Sequence, residues 1–337
     1  MSSTGAVKTK CCCLVLLFAF LNASANAAVA PTKFLFAYGA IGGNAVPLWI
    51  AKEQGIFRNY NLEPQLIYII AGRAMQSMLA GDIQVGLLGA THVANAVSAG
   101  GDMTMLLGME DRLNYFLNVR PGIGSAEDLK GKKIGIGTPS GSLALATYVG
   151  LDHLGLVPRR DRVTLLNTGS TPERMNGLFT GAIDAAFFNP EVEQIVVQQG
   201  FPMLFDLRKA NVPFQSSGLA TSRKYIRANP QLIENLAKAV IEGVAFVQNS
   251  TNKKIVVDSI ARNLRLDRSD RLERAYQTIS ESFPRKPCPS LPGISSVLKL
   301  MSQHGINPKA ADLKPEDITD MSLCKKLDDS GFFTRPQ

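Results

Sequence analysis

Residues that carry chemistry are scarce in this chain of 337 residues: three histidines, five cysteines and one tryptophan. His92, His153 and His304 lie far apart, and neither H-x-x-x-H nor C-x-x-C occurs, so the common zinc frameworks are excluded and no metal site is expected. Gly137-Thr138-Pro139-Ser140-Gly141 places its serine three residues after the first glycine, one too far for a nucleophile elbow. No G-x-G-x-x-G stands at a strand–helix junction, and no G-K-[ST] is present, which argues against dinucleotide and P-loop chemistry. The expectation is therefore no catalysis and no cofactor. The net charge of +8 comes without a dense Lys/Arg cluster or a basic stripe with interleaved aromatics, so no nucleic-acid partner is expected.

Long hydrophobic runs are also missing. The one strong run, Cys11 to Leu21, is about eleven residues, short for a membrane span and typical of a signal-peptide core. Lys8 and Lys10 precede it, and Ala23-Ser24-Ala25 and Ala25-Asn26-Ala27 follow with small-residue cleavage patterns. Residues 1–30 thus read as a signal peptide cleaved near Ala27, giving a periplasmic or secreted protein. Cys11, Cys12 and Cys13 fall inside it, at the start of the apolar run, and read as apolar filler. Cys288 and Cys324 remain, and an oxidising compartment permits their pairing without requiring it.

What the chain does have is an internal echo about 100 residues apart. Leu79-Ala80-Gly81-Asp82-Ile83-Gln84-Val85-Gly86 returns in character as Phe179-Thr180-Gly181-Ala182-Ile183-Asp184-Ala185-Ala186. In each, an apolar helix end meets a glycine suited to closing a helix, and a buried-strand run follows. Strand patterns at 34–38, 65–70, 83–88 and 103–108 alternate with helix patterns at 44–54, 73–80 and 91–99. A second set of strands, at 133–137, 163–166, 183–188 and 203–205, alternates with helices at 142–154, 172–180 and 191–199. This is an α/β protein of two lobes, each a mainly parallel sheet flanked by helices. Helices are also expected at 253–263, 269–282, 293–304 and 315–328, after one that Asn229-Pro230 starts. That helical tail should pack on the first lobe. Lobe I then comprises 31–117 plus 217–337 and lobe II 118–216, joined by two hinge connections.

Ligands of open parallel sheets sit beyond the carboxyl ends of the strands. Six strand-to-helix junctions occupy those places: Gly39 to Asn44, Ala71 to Arg73, Gly89 to His92, Thr138 to Ser142, Gly169 to Thr171 and Asn189 to Glu191. Each is rich in small or hydroxyl residues and leads into a helix N-terminus, where unpaired N–H groups favour anions. Such residues are also ordinary caps and turns; their repetition at six equivalent places makes the case for a shared cleft.

Pro47-Leu48-Trp49-Ile50-Ala51-Lys52-Glu53-Gln54-Gly55-Ile56-Phe57, Met78-Leu79-Ala80-Gly81-Asp82-Ile83, Asp128 to Gly135, Gly181 to Ala186 and Leu327 to Phe332 together resemble the nitrate/sulfonate/taurine-binding family of periplasmic proteins. That family serves ABC transporters and is related to thiamine-pyrimidine precursor-binding proteins. The resemblance covers nearly the whole mature chain. It implies a type II periplasmic-binding-protein fold with the ligand between closing lobes, and a monomer that hands a small molecule to a membrane permease. Carried over, the ligand-facing residues are Gly42, Gly43, Asn44, Gly72, Arg73, Ala74, Ala90, Thr91, His92, Ser140, Gly141, Ser142, Asn189 and Glu191. Arg73 replaces a small residue of many relatives. It either clamps a carboxylate or sulfonate or is a solvated first-turn side chain. His92 is a ligand contact or a loop cap, Trp49 is packing, and among Glu110, Asp111 and Arg112 one could bridge the lobes on closure. The ligand is expected to be an anion such as a sulfonate, nitrate or organic carboxylate, with a neutral thiamine-precursor-like heterocycle as the alternative. The family's pyrimidine-synthesising branch uses a cysteine-rich motif deep in the mature protein, which this chain does not have there.

Overall fold

Strands of four to ten residues collect into two separate five-stranded sheets in a computed structural model, which describes residues 1–2, 30–265 and 270–334. The expected signal peptide, its cleavage site and Cys11 to Cys13 lie outside the described residues. The strands are β1 Thr32–Tyr38, β2 Leu62–Tyr68, β3 Val85–Leu88, β4 Met103–Arg112, β5 Phe116–Val119, β6 Lys133–Ile136, β7 Thr164–Asn167, β8 Ala185–Phe188, β9 Met203–Asp206 and β10 Pro213–Ser222. The first sheet has the order β2-β1-β3-β10-β4 and the second β7-β6-β8-β5-β9.

The two orders are the same pattern written twice. In the first sheet β1 runs parallel to β2 and β3, and only β10 is reversed, antiparallel to β3 and β4. In the second, β6 runs parallel to β7 and β8, and only β5 is reversed, between β8 and β9. The reversed strand of each sheet is the one that has just crossed from the other lobe. Each lobe is therefore a mixed sheet with one reversed strand, not a wholly parallel one, as a chain that crosses and returns requires.

The crossings are short, residues 113–115 and 207–212. The expected borders at 117/118 and 216/217 fall inside β5 and β10. Phe116 already pairs with Phe188, and Pro213 already pairs with Arg112. The alternating residues Tyr115 to Val119 have the pattern of a strand, but that pattern alone does not show which sheet the strand joins.

Both echoed segments end their helices as expected. Helices Ala71–Ala80 and Thr171–Thr180 close on Gly81 and Gly181 at φ 89° and 80°, the left-handed geometry that glycine adopts without a Cβ penalty. The C-terminal helices pack on the first sheet. Pro230–Gln248 buries Ile233, Leu236, Ala237, Val240, Val244 and Val247, spaced at three or four residues, against helix Val46–Glu53 and its Trp49. Each valine, leucine or isoleucine among them contributes roughly 1.5–3 kcal/mol by leaving water. Trp49 meets Tyr38 edge-on at 6.1 Å, in a packing role.

Two details of the tail differ from expectation or resolve it. The helix expected over 315–328 is two helices, Pro315–Ile318 and Ser322–Asp329. Thr319 bridges to Met105 and the Asp320 N–H donates to the Met105 carbonyl at 3.0 Å, so the first sheet pulls the chain out of helix between them. Cys288 and Cys324 are joined in a disulfide, Cα to Cα 5.8 Å. Among the described residues, no helix is long and apolar enough to cross a membrane.

Candidate ligand-binding cleft

The carboxyl ends of the parallel strands in both sheets face a common cavity. First-lobe residues Gly39 to Ile41, Gly43, Asn44, Tyr68, Leu88, Gly89, His92 and Glu110 line it with second-lobe residues Thr138, Gly141, Ser142, Gly169 to Thr171, Arg174, Asn189 and Glu191. Asn114 and Tyr115 from one crossing, and Ser216 and Ser217 at the start of the returning strand, form its back wall.

The lobes touch across this cavity. Thr91 Oγ1 and Ser142 Oγ are 3.0 Å apart, and Asn95 Nδ2 donates to the Ser140 carbonyl at 3.2 Å. The Gly43 N–H donates to the carboxylate of Glu191, which also accepts from Asn189 Nδ2. Gly42 is required at this seam: a Cβ there would stand 2.5 Å from Asn189 Nδ2 and 2.7 Å from Glu191 Oε1. The cleft is thus closed.

The expected ligand-facing residues divide into three groups. Gly43, Asn44, His92, Gly141, Ser142, Asn189 and Glu191 line the cavity. Gly42, Thr91 and Ser140 form the lobe-to-lobe seam beside it. Gly72, Arg73, Ala74 and Ala90 do not line it: Arg73 is exposed, Gly72 borders open space, and Ala74 and Ala90 are buried in core packing. The helix Ala71–Ala80 turns position 73 outward, so Arg73 is the solvated first-turn side chain of its two readings.

The cation in the cavity is Arg174, in the second lobe. Its placement follows from the local sequence. Gly169 at φ 65° turns the chain, and Ser170 caps the helix in a capping box with Glu173, each satisfying the other's backbone N–H. Arg174 follows in the first turn, four residues before buried Leu178 and on the same face. It is 5 % exposed, with Nε donating to the Phe187 carbonyl and Nη2 to Thr171 Oγ1, both at 3.2 Å, and its guanidinium over the Phe188 ring. Burial lowers it to about 10, with Tyr115 and Tyr68 opposing that shift, so it is charged at neutral pH. Two of its five donors are used in these bonds. A charge on the buried face of an amphipathic helix was the sequence signal for it.

Two carboxylates share the cavity. Glu191 is 5 % exposed, and burial raises it against the bonds from Gly43 and Asn189. Glu110, at the end of β4, accepts from Ser217 Oγ at 2.9 Å; burial first, then repulsion from Glu191 and Asp111, raises it to about 7. Asp111 and Arg112 pair with each other at the surface. His92 is 7 % exposed and burial lowers it to about 4, so its ring is neutral. Its Nδ1 is 3.4 Å from Thr91 Oγ1, while Nε2 has no hydrogen-bond partner among the described residues. Ser142, Thr91 and His92 form a chain, and among the described residues no carboxylate is hydrogen-bonded to the imidazole as in an acyl-transfer triad.

Residues 43–253 match the model of the NMT1/THI5-like family. The chain belongs to that family. No curated protein matches the chain in sequence. Among solved structures, this NMT1/THI5-like protein is similar to the alkanesulfonate-binding protein SsuA of Xanthomonas axonopodis pv. citri bound to MOPS. The two are 17% identical with a TM-score of 0.70, covering 84% of this chain and 96% of that one. The periplasmic nitrate-binding protein NrtA of Synechocystis PCC 6803 is 14% identical, TM-score 0.73, with 89% of each chain covered. A Candida albicans protein described as having the generic periplasmic binding protein fold is 14% identical, TM-score 0.68, covering 86% and 96%. The NMT1/THI5-like chain therefore has the two-lobed periplasmic-binding-protein fold.

Proposed function

We propose that the protein is the exported solute-binding component of an ABC importer, a monomer that traps a small molecule between its lobes and delivers it to a membrane permease. The observation that carries this reading is the closed cavity. Its polar walls come from both lobes, from the 113–115 crossing and from the returning strand β10, and the groups inside it are arranged to bind. Ligand contacts to both lobes exist only in the closed form, so binding draws an open–closed equilibrium toward closure about residues 113–115 and 207–212. The resemblance to sulfonate- and nitrate-binding structures supports the same reading, and the signal-like residues 1–30 support export.

Arg174 supplies the contact for an acceptor group on the ligand, a sulfonate or carboxylate that can take its free N–H donors bidentately. A second reading, a neutral heterocycle like a thiamine precursor, is supported by the aromatic wall of Tyr68 and Tyr115. A thermal-shift screen of sulfonates, nitrate, carboxylates and thiamine precursors tests the function. At least one class should raise Tm, because a ligand of the native state alone stabilises it. No rise with any of them contradicts the proposal.

A further inference from the structure

The lobes also meet outside the cavity, where the C-terminal tail touches the second lobe. The tail helix Leu291–Gln303 packs on the second-lobe helix Ser142–His153, and Val297, Leu298 and Met301 share one apolar cluster with Leu145, Ala146 and Val149. The turn that follows, residues 304–307, reaches both ends of helix Ser142–His153. Near its C-terminal end, His304 stacks on Tyr148 with ring centroids 4.7 Å apart and 17° between the planes. His304 Nε2 lies 3.0 Å from the Asp152 carboxylate, out of line for a hydrogen bond but within ion-pair distance. The two attract as ions while the imidazole carries its proton.

The start of the helix is reached through the first lobe. Asn307 Nδ2 donates to Asn95 Oδ1 at 2.8 Å and to Ser98 Oγ at 2.7 Å, while Asn307 Oδ1 accepts the Lys309 N–H at 3.1 Å. A side-chain amide has one accepting and one donating end. With its oxygen held by Asn307, Asn95 turns its Nδ2 to the Ser140 carbonyl, in the junction that leads into helix Ser142–His153. Asn307 thus fixes which way the Asn95 amide faces, and with it one bond of the seam.

Resting on the hinge-closure reading above, we propose that residues 304–307 are a latch that stabilises the closed form. His304 holds the far end of helix Ser142–His153, and Asn307, a positioning residue acting through Asn95, holds its start. The helix has 12 residues and is about 18 Å long, so two grips at its ends oppose a rotation that one contact alone would serve as a pivot. None of His304, Asn307, Asn95, Ser140, Tyr148 and Asp152 lines the cavity, so the latch sets how often the cleft is shut and not what fits it. It stands at the end of helix Leu291–Gln303 away from Cys288 and has its own bonds to Ser98 and Lys309, so it does not depend on the disulfide.

Native-state hydrogen exchange in the ligand-free protein at pH 6 tests this. The Gly43 N–H is bonded to Glu191 of the other lobe, so its exchange reads the open fraction, while amides inside β1 and β3 exchange only when the sheet itself opens. Asn307→Asp keeps an acceptor for the Lys309 N–H but cannot donate to Asn95, whose Nδ2 should turn to the new carboxylate and leave Ser140. Gly43 should then exchange at least fivefold faster. Asp152→Asn should quicken it about twofold to fivefold, the range of an exposed ion pair. His304→Ala, which also removes the stack on Tyr148, should quicken it more, and the double variant no further than His304→Ala alone. The β1 and β3 amides should keep their wild-type rates throughout. Wild-type rates at Gly43 in Asn307→Asp and His304→Ala overturn the latch. Equal acceleration at β1 and β3 overturns it too, because the tail would then serve stability alone. So does a Gly43 amide that exchanges freely in the wild type, where nothing is held shut. Additive effects of Asp152→Asn and His304→Ala overturn the ion pair's part in it. The binding-protein reading is judged apart from these variants, by the thermal-shift screen on the wild-type protein.

Discussion

The two repeats carry an arginine at nearly the same place and use it oppositely. Counted back from the closing glycines, Arg73 lies eight residues before Gly81 and Arg174 seven before Gly181. One residue is about 100° around a helix. That step sends Arg73 into solvent and Arg174 into the cavity. The residue matching Arg174 in the first lobe is Ala74, fully buried, and the residue matching Arg73 in the second is Glu173, which serves the helix cap. The repeat therefore supplies two similar scaffolds, and a one-residue phase difference decides which of them turns its arginine into the cavity.

The comparison is broken most directly by removing each arginine in turn. Arg174→Ala should lower ligand affinity at least 100-fold and destabilise the fold by roughly 1–3 kcal/mol, since the Phe187 carbonyl loses its donor. Arg73→Ala should change affinity less than twofold. Calorimetric titration and thermal melting of the two variants measure both; equal losses of affinity would end the distinction between the repeats.

A second difference is that the C-terminal helices, and the disulfide that ties them, pack on the first lobe. The Cys288–Cys324 link spans 36 residues, so removing it with a double serine variant should cost about 3–4 kcal/mol of stability on loop entropy. Denaturant unfolding reads the loss. Ligand affinity should stay within threefold, and a large affinity loss would mean that the tail helps shape the cleft.

The seam between the lobes is sharper still in its requirement for space. Gly42→Ala places a methyl against Asn189 and Glu191, and it should prop the cleft open and weaken binding about tenfold while leaving Tm of the free protein nearly unchanged. Affinity equal to wild type would show that the seam relaxes. Smallest of all, Gly81→Ala should cost about 1 kcal/mol, because alanine takes the left-handed geometry poorly and nothing else stands near it. Gly181→Ala should cost somewhat more, as its Cβ would also displace the Arg120 guanidinium. Urea midpoints of the pair check the order.

The ligand-free closed form should also depend on pH. Glu110 is held above its ordinary value when the cleft is closed, so closure is favoured below about pH 4.5, loses ground as pH rises toward 7, and levels off above it. Scattering of the free protein across that window should show a radius of gyration that grows with pH; a flat profile would separate Glu110 from closure.

Much of this was legible from periodicity. The echo at Gly81 and Gly181, the alternation of strands and helices, and the glycine-rich junctions of the cleft all rest on local patterns that tertiary contacts preserve. What local patterns could not show was phase and register. Arg73 drew attention because it stood in a junction. Arg174 sat one turn into a helix, where only its shared face with Leu178 marked it as buried. The strand pattern at 103–108 stops short of Glu110; pairing with β10 extends β4 to Arg112 and turns the Glu110 carboxylate toward Ser217. The break at Thr319 to Met321 depends on a bridge to Met105, more than two hundred residues away in sequence.

Small-angle scattering on the wild-type protein and the R174A variant, each with and without a ligand found in the thermal-shift screen, tests the central claim most directly. The account predicts a smaller radius of gyration for wild type when ligand is added, and no compaction of R174A at the same concentration. An unchanged radius in wild type, or equal compaction in both, would contradict it.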